Sequence, residues 1–268
     1  MAGAPAPAPG APGEKVRVLC LHGFTQNAEA FRAKTGSLRK KLKSIVDFVF
    51  VDAPHAAEGA FGVADERALG AADAAAGAGP RAWWLVGENT SPSAPSSRDA
   101  SDDGAAPRAE TTAVRPSGSR AMRGWEDAAA TIRAAVDAEG PFRGVLGFSQ
   151  GASAAALALA TIPELAASCD FAVLIAGFAP LDPAAAAALE PDAANRPRIA
   201  GARSLHVHGR GDRMVTRDRC LALARAFENP EIFEHDGGHG VPCDKTFREV
   251  VKTFIAENLP EAPRKTSE

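Results

Sequence analysis

Tyrosine is absent from this 268-residue chain, and aromatic residues make up only 6% of it. Alanine supplies much of the 46% hydrophobic content. That bias is compositional rather than functional, and it adds little core volume. Cysteine is scarce: Cys20, Cys169, Cys220 and Cys243 are scattered and form no C-x-x-C pair. A zinc ribbon or disulfide framework is therefore not expected, and a reducing compartment fits better. No charge of one sign prevails, since 30 Lys+Arg against 33 Asp+Glu leave a net charge of −3. This excludes a strongly basic nucleic-acid binder or an acidic solvating tail as the main identity. The apolar stretches are alanine-diluted and too short for a membrane span. Residues 1–13 are nearly all Ala, Pro and Gly, without a basic n-region or an apolar h-region. They do not resemble a secretory signal, and residues 1–15 are expected to be a disordered lead-in. The expected location is the cytoplasm, with the nucleus also open.

The length suits one α/β domain. Residues 16–21 (VRVLCL) predict a buried strand that ends at His22-Gly23. Residues 28–43 carry a helical pattern that Gly36 weakens, so the helix is expected to split there. Residues 47–52 predict a second strand, stopped at Ala53-Pro54. An irregular insertion follows at about 56–120. It holds an apolar island at Trp83-Trp84-Leu85-Val86 and a Ser/Pro/Asp/Ala tract, 89–119, that is expected to be disordered. Trp125, Ala129, Ile132 and Val136 then fall at helical spacing before Gly140-Pro141. Further strands are expected at 143–148, 171–177, 203–208 and 231–235. Between and after them, helices are expected at 150–160, within 183–200, at 217–228 and at 244–258, with a frayed tail over 261–268. This alternation predicts a single domain with a mainly parallel sheet of about six strands and helices on both faces. In such sheets chemistry sits at the carboxyl ends of the strands.

At the end of the third strand stands Gly147-Phe148-Ser149-Gln150-Gly151, a G-x-S-x-G elbow. The turn from strand to helix is so tight that the residues flanking the serine by two must be small, and the hydroxyl is left exposed at the sheet edge. The motif alone is weak. An apolar strand before it and a small-residue helix after it make it specific. Ser153, one turn on, is expected only to pack.

A hydroxyl nucleophile needs a histidine to take its proton, and a carboxylate to orient that histidine. On the α/β-hydrolase fold the order along the chain is Ser, then Asp or Glu, then His. His22 and His55 precede the serine, while His206 and His208 lie in or at the end of a strand. His235 ends the last strand. His239, in the glycine-rich loop beyond it, is the expected base. Asp212, in Gly209-Arg210-Gly211-Asp212, is the expected acid; Asp182 is the structural alternative, and Asp218 is expected to cap or to face solvent. The oxyanion needs preorganised N–H donors. Those of Gln150 and of Phe24, in the turn after the first strand, are the candidates, with the His22 side chain bracing that turn.

The string His22-Gly23-Phe24, Phe31, Thr35-Gly36-Ser37-Leu38-Arg39, Asp52-Ala53-Pro54-His55, Gly140-Pro141-Phe142, the elbow, Gly177-Phe178, and Gly237-Gly238-His239 with Pro242 resembles the family of serine hydrolases (FSH). These are small α/β-hydrolases that include the ovarian-cancer-associated gene 2 esterase. The resemblance covers about 16–55 and 120–258. It implies a carboxyl-ester hydrolase with the triad Ser149, Asp212 and His239, acting on esters with alkyl or acyl chains; some fungal members are thioesterases. The insertion is longer than in the family, and the Asp212 loop is only loosely similar.

Trp83 and Trp84 are expected either to line an acyl pocket or to anchor the insertion, and Phe178 is a further pocket candidate. Neither metal-ligand spacing nor a phosphate or dinucleotide loop is present, so no cofactor is expected. The expected partner is a small-molecule ester or thioester, with no nucleic acid and no membrane span. A catalytically silent hydrolase fold that binds a ligand or partner is the alternative from another class.

Overall fold

The computed structural model describes residues 15–57, 79–86 and 121–259. The expected lead-in before residue 15, most of the insertion including the 89–119 tract, and the 261–268 tail lie outside the described residues.

Six strands form one parallel sheet: β1 (Val16–Leu21), β2 (Val46–Val51), β7 (Gly144–Phe148), β8 (Phe171–Ile175), β9 (Arg203–Gly209) and β10 (Glu231–His235). Two-residue strands β3 (His55–Ala56), β4 (Arg81–Ala82), β5 (Leu85–Val86) and β6 (Met122–Arg123) pair antiparallel, β3 with β4 and β5 with β6. The sheet order is β10-β9-β8-β7-β1-β2. From β1 the chain steps outward to β2, then returns to β7 on the other side and continues outward to β10. The order thus reverses between β1 and β7, where such sheets open a crevice at the carboxyl ends of their strands.

Alternation along the strands divides the core. Leu19 and Leu21 of β1 join one buried cluster, whereas Val18 and Cys20 join the other. The first cluster is roofed by α3 (Trp125–Glu139), α4 (Gln150–Thr161), α5 (Pro163–Ser168), α6 (Pro183–Leu189) and α7 (Arg217–Ala224). The second is covered by α1 (Ala28–Lys34), α2 (Gly36–Leu42) and α8 (Lys245–Glu257). The split expected at Gly36 occurs, with Thr35 closing α1 and opening α2.

α4 is buried from Gln150 through Leu159. Its Gly and Ala side chains let it lie close on the sheet, which explains a helix apolar all round in a chain with few large residues. Side chains cap the flanking helices: Asn27 accepts from Ala30 N–H, Asp182 from Ala184 and Ala185, and Asp244 from Phe247. The short α5 was not anticipated from the sequence. Among the described residues no helix is long and apolar enough to cross a membrane.

Candidate active site

Sterics set the elbow. A Cβ on Gly147 would stand 2.5 Å from Ala152 Cα, and one on Gly151 would overlap the carbonyl oxygens of Leu21 and His22. With no side chain at either position, β7 turns into α4 directly beside the end of β1. Ser149 takes φ 53° and ψ −118°, a backbone region costly for any residue with a Cβ. Its N–H donates to Ile175 O at 2.8 Å, which secures the turn to β8.

Two glycine-bearing loops bring the candidate base and acid to this serine. The turn after β9 and the loop after β10 meet where a Cβ on Gly209 would collide with the carbonyls of Gly237 and Gly238 at 2.5 and 2.6 Å. Arg210 N–H donates to His235 O at 2.8 Å and Gly211 N–H to Gly237 O at 3.0 Å. Across this junction His239 Nδ1 lies 2.8 Å from Asp212 Oδ2, and His239 Nε2 lies 3.0 Å from Ser149 Oγ. The other Asp212 oxygen accepts N–H groups of Met214 at 2.8 Å and Val215 at 2.9 Å. Burial pushes the Asp212 carboxyl up. The His239 hydrogen bond and charge, with the two backbone donors, outweigh burial and hold it below the ordinary aspartate range. Asp212 is therefore ionised at neutral pH and accepts from the Nδ1 side of the ring, which turns Nε2 toward Ser149 Oγ. The Phe148 ring, 5.1 Å from that of His239, backs the base.

The turn after β1 carries a different histidine. His22 is completely buried. Its Nε2 accepts Ala53 N–H at 3.0 Å, which places the proton on Nδ1, and Nδ1 donates to Gly23 O at 2.8 Å. Burial pushes its pKa down to about 4. It braces the turn, as expected. Gly23 N–H donates to Gln26 Oε1 at 3.0 Å, and Thr25 N–H to Arg81 O at 2.9 Å. The amides on either side of Phe24 are thus engaged, one within the turn and one with segment 79–86. The Gln150 amide heads α4, where an N–H has no intrahelical acceptor.

Trp83 and Trp84 are both completely buried. Their contacts tie segment 79–86 to the core. The Trp83 indole N–H donates to His22 O at 2.8 Å. The Gln150 carboxamide accepts from Trp83 N–H and donates to Trp84 O, both at 2.9 Å. Phe178 is likewise packed inside: it is 1% exposed, stacked edge-on to Trp84 with ring centroids 6.2 Å apart and beneath the Arg219 guanidinium. In both cases apolar surface is worth more inside the small-residue core than at its edge.

The other residues weighed from the sequence, Asp182 as the alternative acid among them, stay outside the site. Ser153 Oγ bonds both Phe178 O and Phe178 N–H. Asp182 caps α6 and also accepts Met122 N–H at 3.2 Å, and Asp218 lies in the first turn of α7. His235 Nδ1 accepts from Gly237 N–H, and His206 bonds Ser204 within β9. Sequence reasoning missed the side chains of Gln26 and Gln150. Their one signal is that each lies next to, or within, a turn already singled out. Among the described residues no His, Cys, Asp and Glu side chains group as metal ligands.

A family model described as Serine hydrolase (FSH1) matches residues 12–251. Esterase OVCA2 of Danio rerio is 32% identical over 251 residues, covering 90% of this chain and 96% of its own. SOBER1 of Arabidopsis thaliana superposes with a TM-score of 0.54 at 16% identity, over 92% of this chain and 100% of its own. Acyl-protein thioesterase 2 of Zea mays does so with a TM-score of 0.50 at 18% identity, over 94% and 96%. The shared fold is the α/β-hydrolase fold.

Proposed function

Because the chain belongs to the FSH1 serine hydrolase family, we propose that Ser149, His239 and Asp212 are its catalytic triad and that it cleaves carboxylic esters bearing an alkyl or acyl chain. The observation that carries this reading is the unbroken contact from Asp212 Oδ2 through both His239 nitrogens to Ser149 Oγ, at 2.8 and 3.0 Å.

His239 Nε2 takes the Ser149 proton as Oγ attacks the ester carbonyl carbon. Asp212 holds the Nδ1 proton and stabilises the imidazolium that forms. The carbonyl oxygen becomes an oxyanion, with the backbone N–H groups of Gln150 and Phe24 as its donors. His239 then returns its proton to the alkoxide as the C–O bond breaks, which leaves an acyl group on Ser149. In the second half His239 deprotonates a water that attacks the acyl carbon, and the acid departs as Ser149 recovers its proton.

Thioester hydrolysis is the second reading of the same site. The acyl-enzyme is identical for either leaving group, and a protein named as an acyl-protein thioesterase has this fold. Relative kcat/KM on matched oxygen esters and thioesters separates the two. The four cysteines, all free, support a reducing location such as the cytoplasm.

The test is labelling by a fluorophosphonate, which reacts with activated serines. Wild type labels, and Ser149→Ala loses both label and turnover, the latter by about 10⁴-fold or more, with an unchanged melting temperature. Failure of folded wild type to label would move the weight to a silent, ligand-binding hydrolase fold.

A further inference from the structure

Segment 79–86 lies between the two turns that carry the oxyanion donors and is bonded to both. Toward the β1 turn, Thr25 N–H donates to Arg81 O and Arg81 N–H donates to Gln26 O, each at 2.9 Å. The Trp83 indole adds its bond to His22 O. Toward α4, the Gln150 carboxamide meets the backbone of Trp83 and Trp84 with its oxygen and its nitrogen at once. Only an amide side chain of this length offers a donor and an acceptor side by side at that reach. Gln150, Trp83 and Trp84 are all 0% exposed, so water cannot replace either bond.

Gln150 is also the residue whose own N–H faces the reacting carbonyl in the proposed mechanism. Fixing its side chain fixes the orientation of its peptide plane. The segment that holds it is the one that holds the turn around Phe24. We propose that the Gln150 carboxamide is a positioning residue for ester hydrolysis, which with Trp83 holds the two donor amides at the separation the oxyanion requires. The inference rests on acyl transfer at Ser149. A residue that merely anchors segment 79–86 would contribute to stability and leave kcat alone. A residue that positions donors acts on the transition state, where the oxyanion exists, and hence on kcat rather than on KM.

The experiment uses the full chain with a short-chain p-nitrophenyl ester. Gln150→Met keeps the length and removes both bonds, and it is expected to lower kcat about tenfold with KM little changed. Gln150→Glu adds a pH signature. Its buried carboxyl is neutral at low pH and then supplies an O–H donor and a C=O acceptor; ionisation removes the donor. Its kcat relative to wild type is expected to fall as pH rises, while the ratio for Gln150→Met stays flat. A kcat loss under threefold in folded Gln150→Met, a loss carried by KM alone, or a Gln150→Glu ratio that does not fall with pH would each overturn the proposal. Should Gln150→Met not fold, Trp83→Phe, which removes the indole N–H, is judged by the same threefold limit on kcat. A wild type that fluorophosphonate does not label would instead strike at acyl transfer itself, so the two failures are distinguishable.

Discussion

The two sides of the candidate site are built in opposite ways. On the oxyanion side His22, Gln150, Trp83 and Trp84 are wholly buried and cross-linked through side chains. On the acid–base side the Asp212 and His239 side chains are also buried, 0% and 8% exposed, but they sit on glycine-bearing loops joined by backbone bonds, beside an Asp236 side chain that is 91% exposed. Each side has a histidine with both ring nitrogens engaged. His22 is bonded only to backbone and kept neutral by burial. His239 is bonded to a carboxylate and a hydroxyl. In the proposed mechanism the donors that act by being in place are cross-linked through side chains, and the group that accepts and releases a proton is carried by loops.

The largest expected effect falls on the loop-borne side. Asp212→Asn keeps the shape but can favour the wrong His239 tautomer, and kcat should fall about 10³- to 10⁴-fold, measured on a short ester with circular dichroism as the fold control. A loss under tenfold would mean that the acid is elsewhere.

Acidification should act through the buried histidines. Burial holds His22 at about 4 and His206 at about 3, while each titrates near 6.5 when unfolded. Below pH ~6.5 the unfolded chain therefore binds protons that the folded chain does not. Their stabilisation is complete above that pH and is lost toward pH 4 for His22 and pH 3 for His206, at about 1 kcal/mol per pH unit for each histidine. The urea midpoint should drop over this range, and a flat midpoint would contradict the burial argument.

A pair of glycines gives the smallest contrast. Gly151→Ala forces a methyl onto the carbonyls of Leu21 and His22 and should cost about 3 kcal/mol. Gly240→Ala, beside the base, meets nothing within 4 Å and should stay within about 0.5 kcal/mol. Equal urea midpoints for the two variants would undo the contrast.

Much of this was legible from local pattern. The six long strands, the split at Gly36 and the small-residue helix after the elbow follow from periodicity and glycine placement. Ser149, His239 and Asp212 follow from the order in which this chemistry occurs along the chain, and the structure brings them into contact. The two-residue strands and α5 were not legible, because two to six residues are too short to show a period. Nor could Gln150 be seen as a link to Trp83, since a bond between residues so far apart in sequence leaves no spacing to read. The burial of Trp83, Trp84 and Phe178 was not legible for a related reason. An aromatic in an insertion has the same sequence signature whether it faces a cleft or fills the core.

The left-handed backbone at Ser149 has a thermodynamic corollary. A side chain held there carries about 1–2 kcal/mol of strain, which glycine escapes at the cost of a more flexible unfolded chain. Ser149→Gly should thus yield a protein that hydrolyses nothing yet resists urea at least as well as the active enzyme. At this position activity and durability pull in opposite directions, and a screen for thermal resistance alone would drift toward an inert protein.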